Sequence, residues 1–384
     1  MKSKGIIRFI TMVLALTLLA GTAFAADTIK IGVLAPLTGY AADDGINVKN
    51  SVIMAADKLN SEGGLLGKKV ELVIYDDRAD SKEAVALAYK LIEQDGVVGL
   101  VAGSYSFPTR AIAPIFNDAQ IPLVSAYAIH PDITAAGEYC FRNGFSGTIE
   151  GKGCAYVAIQ KFNAKTVALI HADNDFGRTL ATGAHEYLLK NAPKTEIVYE
   201  AAYPFDEKDY KAYLSRIKAL NPDVVIASGY FFQSGPMIKQ AREMGIKSVF
   251  IGEEGSDSPQ FLKIAGDACD GFIMVTNLNR DDERQFVQDY ISGYKDRFGE
   301  DTCMVGASGY DAFMIITEGI KRAKSTKGPK VQAAIAALDG LDGITGAIRF
   351  TPEGEVVKPL QVQIVRDGNF HYYDVIDDPE LINP

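Results

Sequence analysis

The 384-residue chain is poor in the residues and motifs that usually carry chemistry, with only four histidines and four cysteines. His130, His171, His185 and His371 show no HxxxH-type spacing, which argues against a histidine-held metal. Cys140, Cys154, Cys269 and Cys303 form no CxxC pair, which argues against a metal cluster or a redox dithiol. There is no GxSxG nucleophile elbow, and no GxGxxG follows a strand-like run. The stretch "GTIEGKG" (147–153) resembles a phosphate loop but is one residue short and lacks Ser or Thr after Lys152. No metal, cofactor or catalytic machinery is expected. After residue 25 no run is long and apolar enough to span a membrane. Positive charge is also short: the net charge of −10 gives no electrostatic case for nucleic acid or anionic lipid. No low-complexity tract or charge block points to disorder.

What is there begins with an export signal over residues 1–25. Lys2, Lys4 and Arg8 form a basic start, "FITMVLALTLLAG" a short apolar core, and Ala23-Phe24-Ala25 a small-x-small cleavage site. The chain is therefore expected to be exported across a bacterial inner membrane into the periplasm. An even cysteine count in an oxidising compartment permits two disulfides. Four cysteines allow three pairings, and sequence proximity favours Cys140–Cys154 and Cys269–Cys303.

The remaining length suits two lobes better than one core. Short β-branched runs alternate with amphipathic stretches. The first series has strands at 28–35, 69–76, 96–103 and 121–126, with helices near 46–60, 81–94 and 108–118. Asp80 with Glu83 reads as an N-cap and its third-residue partner. The acid-rich "YDDRADS" could pass for a metal loop, but at a strand-to-helix joint it reads as a capped turn. A second series starts after "FRNGFSG", with strands at 165–172, 195–203, 223–230, 248–255 and 270–277. Strand–helix–strand at this spacing gives right-handed crossovers and mostly parallel sheets. The fold class is α/β, with two doubly wound lobes. A helical segment after 277 leads to three strand-like runs, the last of which are expected to cross back and complete a lobe.

Ligands in doubly wound lobes bind outside the carboxyl ends of the strands. The candidate residues at those ends are Ser106, Tyr127, Phe176, Tyr230 and Glu254. They offer a hydroxyl, aromatic rings and a carboxylate without a nucleophile–base pair. That set suits recognition of a zwitterion: donors for a carboxylate, an acceptor for an ammonium, and apolar walls. Phe176, Tyr127 and Tyr230 could equally be packing residues, Ser106 a helix N-cap, and Asp311 either a cap or a residue reaching the cleft. "FIGEEGSD" (250–257) places two glutamates where a strand meets solvent or a cleft. Adjacent side chains tend to point apart, which disfavours a catalytic carboxylate pair there.

In order, "IGVLAPLTGYAADDG", "AADKLNSEGGLLGKKVELVIYDD", "AGSYSFPTRAIAPIF", "DNDFG", "PDVVIASGY", "GEEG" and "YDA" resemble the periplasmic leucine/isoleucine/valine-binding proteins of ABC transporters. The resemblance covers essentially the whole chain after the signal. It implies a type I periplasmic binding protein: two Rossmann-like lobes joined by three hinge crossings, 26–147 plus 277–356 and 148–276 plus 357–384. By position, Ser106 would hold the ligand carboxylate. Tyr127 and Ile129 would contact the head group, and Phe176 would lie over the ligand. Tyr230 and Glu254 would form the second lobe's clamp, with Glu254 taking the ammonium and Glu253 its solvated neighbour. Ile129 replaces a usual threonine, Asp44 stands where an aromatic often lines the side-chain pocket, and Phe107-Pro108 crowds a loop where small residues are common. The implied function is capture of a small amino acid, aliphatic or branched-chain, and delivery to a membrane permease, by a monomer. The alternative is a receptor of the same fold for a ligand without an α-amino group, such as an aromatic acid, amide or urea.

Overall fold

The computed structural model describes residues 28–383, so the expected export signal lies outside the described residues. Among the described residues no helix is long and apolar enough to cross a membrane. The chain builds β1 (Ile29–Ala35), α1 (Ala42–Ser61), β2 (Val70–Asp76), α2 (Ser81–Lys90), β3 (Leu100–Ala102), α3 (Ser106–Asp118), β4 (Leu123–Ser125) and β5 (Cys140–Arg142). These strands form one parallel sheet in the order β2-β1-β3-β4-β5. In β1, alternate residues face opposite sides, yet Ile31, Val33, Leu34 and Ala35 are all fully buried. That is the signature of a parallel strand with helices on both faces.

The second series follows as α4 (Gly147–Gln160), β6 (Thr166–Ala172), α5 (Asp175–Asn191), β7 (Glu196–Tyr203), α6 (Lys211–Leu220), β8 (Val224–Ser228), α7 (Phe231–Glu243), β9 (Val249–Gly252), α8 (Pro259–Ala265) and β10 (Ile273–Thr276). Then come α9 (Gln285–Phe298), α10 (Met304–Ala323), α11 (Gly328–Ala336), β11 (Asp339–Gly343), β12 (Gly346–Arg349), β13 (Leu360–Arg366), β14 (Asn369–Ile376) and α12 (Pro379–Ile382). The second sheet runs β14-β13-β10-β9-β8-β6-β7, parallel except for β13 and β14. The returning strands thus do complete a sheet. The run "GAIRFTP" does not join it; β12 pairs instead with β11 in a separate hairpin.

The chain crosses between the two sheets three times: β5 to α4, β10 to α9, and β12 to β13. Helix α10 returns to pack on α1 of the first lobe. One apolar cluster runs through both lobes, and a smaller one lies in each lobe alone.

Local expectations divide into those kept and those overturned. Asp80 caps α2, accepting from the backbone N–H of Lys82 and Glu83. "YDDRADS" is a capped turn: Asp76 accepts from the Leu37 and Arg78 N–H groups and from Thr38 Oγ1. Asp311 is a structural residue. It is fully buried and binds the turn of the β11–β12 hairpin, accepting from the Ile344 and Thr345 N–H groups and the Thr345 hydroxyl.

The expected disulfides are absent: all four cysteines are free and buried. Cys140 is on β5 and bonds back to the Ala113 carbonyl of its own lobe, whereas Cys154 on α4 faces the Gly252 carbonyl of the other. Sequence proximity misled here because a hinge lies between the two residues. Cys269 and Cys303 are likewise divided, one bonded to Gly266 in the second lobe, the other leading into α10.

Candidate ligand cleft

Five of the six expected residues surround one small cavity between the lobes. Each sits just past the carboxyl end of a strand: Ser106 after β3, Tyr127 after β4, Phe176 after β6, Tyr230 after β8, Glu254 after β9. Asp44, Tyr105, Ala128, Gly255, Met304 and Val305 complete the lining.

On the first lobe, Tyr105 holds the N-cap position of α3 and Ser106 is its first helical residue. The Ser106 hydroxyl accepts the Ile129 backbone N–H at 3.2 Å. Ile129 itself does not line the cavity. Its side chain is fully buried and turns to the hinge, where an added Cβ on Gly147 would lie 2.4 Å from its Cδ1. Only its backbone reaches the site, through Ser106. Tyr127 donates its hydroxyl to the Gly103 carbonyl at 3.1 Å, and Tyr105 donates to Asp44 Oδ2 at 2.7 Å. Burial raises the Asp44 carboxyl to about 7. Arg142, fully buried, holds the 128–130 backbone through the carbonyls of Ala128 and His130, both at 2.7 Å, and pairs with Glu355 at 2.9 Å.

On the second lobe, Phe176 stacks on Tyr230 with ring centroids 4.5 Å apart, and Tyr230 stacks on Tyr105 at 4.6 Å. The stack therefore continues from one lobe into the other. Gly255 is required beneath it: a Cβ there would lie 2.7 Å from the Gly229 carbonyl oxygen and 2.9 Å from the Phe176 ring. Glu254 is 3% exposed.

Glu253 corrects the sequence reading. It is not solvated but 0% exposed, accepting the Ser228 hydroxyl at 2.7 Å. Its Oε2 has no partner, and burial raises its carboxyl to about 7. A strand end followed by two acids looks like a solvent loop in sequence. Here α4, of the same lobe, packs against β9 and covers it.

Helix α4 also brings the residue that sequence reasoning missed. Glu150, in the would-be phosphate loop, is fully buried and meets Glu254. Burial and the facing acids push the Glu150 carboxyl well up, and burial pushes Glu254 up as well. A carboxyl-to-carboxyl contact holds only while one partner is protonated. The Tyr230 hydroxyl, also buried, faces the Asn174 side chain. The positive charges that act on the pair through space are Arg142 and Lys358; Lys358 is itself buried, lowered to about 8 by desolvation, and donates to Thr345 Oγ1 at 2.6 Å. The sequence signal for Glu150 was an acid in an otherwise small and apolar helix.

Direct contacts join the lobes around the cavity. Arg110 on α3 pairs with Asp175 on α5 at 3.0 Å. Tyr40 meets Phe205 and Phe232 edge-on at 5.3 and 5.7 Å. Asp257 accepts the Met304 N–H at the start of α10 at 3.3 Å. These contacts hold the two sets of strand ends together around the cavity.

Comparison with known proteins agrees with this architecture. A family model described as periplasmic binding protein matches residues 28–369. The leucine-, isoleucine-, valine-, threonine- and alanine-binding protein of Pseudomonas aeruginosa is 29% identical over 343 residues, 88% of this chain and 89% of that protein. The leucine-specific-binding protein of Salmonella typhimurium is 31% identical, covering 67% of this chain and 69% of its own length. Among solved structures, a leucine-binding protein from Thermotoga maritima superposes with a TM-score of 0.85 at 25% identity, covering 92% of this chain and 100% of its own. A solute-binding protein from Rhodopseudomonas palustris, in complex with 3,4-dihydroxybenzoic acid, gives 0.82 at 25% identity, covering 91% and 98%. With its two doubly wound lobes, its strand-end cleft and a family match over nearly all described residues, the chain belongs to the periplasmic binding protein family.

Proposed function

We propose that this protein captures a small aliphatic amino acid between its lobes in the periplasm and hands it to an ABC permease. The observation that carries this reading is the buried acid pair. Glu254 and Glu150 meet carboxyl to carboxyl in a buried site, and ionising such a pair with no cation in direct contact is costly. An ammonium group at Glu254 would remove that cost through a charge-assisted hydrogen bond. Ser106 would serve the ligand carboxylate, with Tyr127 beside it. The names of the Pseudomonas and Salmonella relatives support an aliphatic amino acid.

A binding role is favoured over catalysis because the Ser106 hydroxyl is paired with a backbone N–H and not with a base. Export by residues 1–25 and action as a single chain are parts of the same proposal, as is the lobe division 26–147 plus 277–356 against 148–276 plus 357–384. Strand pairing supports that division, since no strand of one sheet pairs in the other. Ligand binding shifts the open and closed populations toward the closed form.

A second reading, a receptor for an aromatic acid, is favoured by the stacked rings and by the Rhodopseudomonas relative's ligand. A thermal-shift screen of amino acids against aromatic acids, amides and urea separates the two. A true ligand at about 100 times its dissociation constant adds roughly 2.7 kcal/mol of apparent stability. Small-angle scattering should show compaction with that ligand. Stabilisation by benzoates and by no amino acid would overturn the first reading.

A further inference from the structure

The departure at Asp44 and the ring beside Ser106 belong together. Asp44 is on α1, buried, at a wall of the cavity. Its carboxyl does not stand free in the cavity, because Oδ2 accepts the Tyr105 hydroxyl at 2.7 Å. That bond fixes the Tyr105 ring in the cleft, 4.6 Å from the Tyr230 ring at an interplanar angle of 27°. No heavy atom fits between two rings stacked so closely. Phe176 extends the stack at 4.5 Å, so that side of the cavity is walled by three rings in contact. The head group, reaching from Ser106 to Glu254, must share this small cavity with whatever side chain the ligand carries. The remaining boundary, Met304 and Val305, is the start of α10, held by the Asp257 bond to the Met304 N–H. It is therefore not free to recede while the lobes are closed.

We propose that Tyr105, positioned by Asp44, is the size gate of the side-chain subsite and restricts the ligand to α-amino acids whose side chain is no bulkier than methyl or hydroxymethyl. The inference rests on the amino-acid reading above and narrows it. A larger side chain would have to displace the Tyr105 ring, losing the stack and the Asp44 hydrogen bond together, or else hold the lobes apart.

Titration calorimetry with glycine, alanine, serine and leucine tests it, on the parent protein and on Tyr105→Ala, Tyr105→Phe and Asp44→Ala. The parent should bind alanine at least tenfold more tightly than leucine. Tyr105→Ala should move the alanine-to-leucine ratio at least tenfold toward leucine. Asp44→Ala, which frees the ring without removing it, should move the ratio in the same direction by less. Tyr105→Phe keeps the ring's bulk but loses the same Asp44 bond, so it should match Asp44→Ala, shifting the ratio by less than Tyr105→Ala. The ratio is the decisive readout, since a merely structural role would weaken all four ligands alike. A parent that binds leucine within twofold of alanine overturns this inference and leaves the amino-acid reading standing. So does an unchanged ratio in Tyr105→Ala. A parent that binds no amino acid overturns both. If Tyr105→Ala fails to fold, the parent and Tyr105→Phe ratios still decide.

Discussion

The two walls of the cleft differ in how their polar groups are satisfied. On the first lobe, the Tyr105, Tyr127 and Ser106 hydroxyls are each bonded within that lobe, to Asp44, the Gly103 carbonyl and the Ile129 amide. On the second, Glu254 meets the buried carboxyl of Glu150, and the Tyr230 hydroxyl faces Asn174. Two buried carboxyls in contact are satisfied only while one keeps a proton, so this is where an added cation would change most. The comparison assigns different work to each wall. On the proposed reading, the first is preorganised and shapes the ligand, and the second, which an ammonium would complete, supplies the drive to close.

Breaking the incomplete wall should have the largest effect. Removing one partner of a buried charged pair costs about 2–5 kcal/mol, or roughly 30-fold to several-thousand-fold in affinity. Glu254→Ala is expected toward the upper part of that range and Glu254→Gln near its lower end, both measured by titration with the best ligand of the screen. A Glu254→Gln variant binding within about twofold of the parent would place the ammonium elsewhere and erase the contrast between the walls.

The pH dependence of the empty protein sharpens the contrast without touching the ligand. Burial raises Glu253 from 4.5 to about 7. A raised carboxyl contributes stability that is fully present below the unfolded value and is lost as pH rises through the folded one. The ligand-free protein should therefore melt at a higher temperature near pH 5 than near pH 8, with the loss between about 4.5 and 7. At about 1.36 kcal/mol per unit, the effect is on the order of a few kcal/mol. Glu253→Gln keeps an acceptor for Ser228 and should flatten part of that slope. A parent whose melting temperature rises from pH 5 to 8 would show that these carboxyls are hydrated in solution. Saturating ligand should offset the loss, because an ammonium favours the ionised form of Glu254.

The smallest change is expected on the satisfied wall. Ser106→Ala removes a neutral hydrogen bond, worth about 0.5–1.5 kcal/mol, so affinity should fall by no more than roughly tenfold. A loss as large as that of Glu254→Ala would mean that the first wall, too, depends on the ligand for its completion.

Much of this organisation was legible in the sequence because it is periodic and local. The alternation of β-branched runs with amphipathic stretches marked both sheets, and a parallel strand buried on both faces, such as "IKIGVLA", declares itself by composition. The strand ends then located Ser106, Tyr127, Phe176, Tyr230 and Glu254, because doubly wound sheets bind ligands at that edge. The short β5 was missed: three residues carry too little pattern to register.

What the tertiary structure alone decided is which polar groups lose their water. Glu253 looked solvated and Glu150 looked like part of a phosphate loop, yet both are buried because α4 packs beneath β9 from a hundred residues earlier in the chain. Asp44 looked like a polar wall, and only the fold shows it tied to Tyr105, sixty-one residues on. Cys140 and Cys154 are near in sequence and belong to different lobes. The physical reason is the same in each case. Hydrophobic periodicity reports which face of an element turns inward, whereas desolvation depends on the identity of the group that arrives on the other side. In this protein that group comes from an element distant in the chain, not from the neighbouring residues that the periodicity describes.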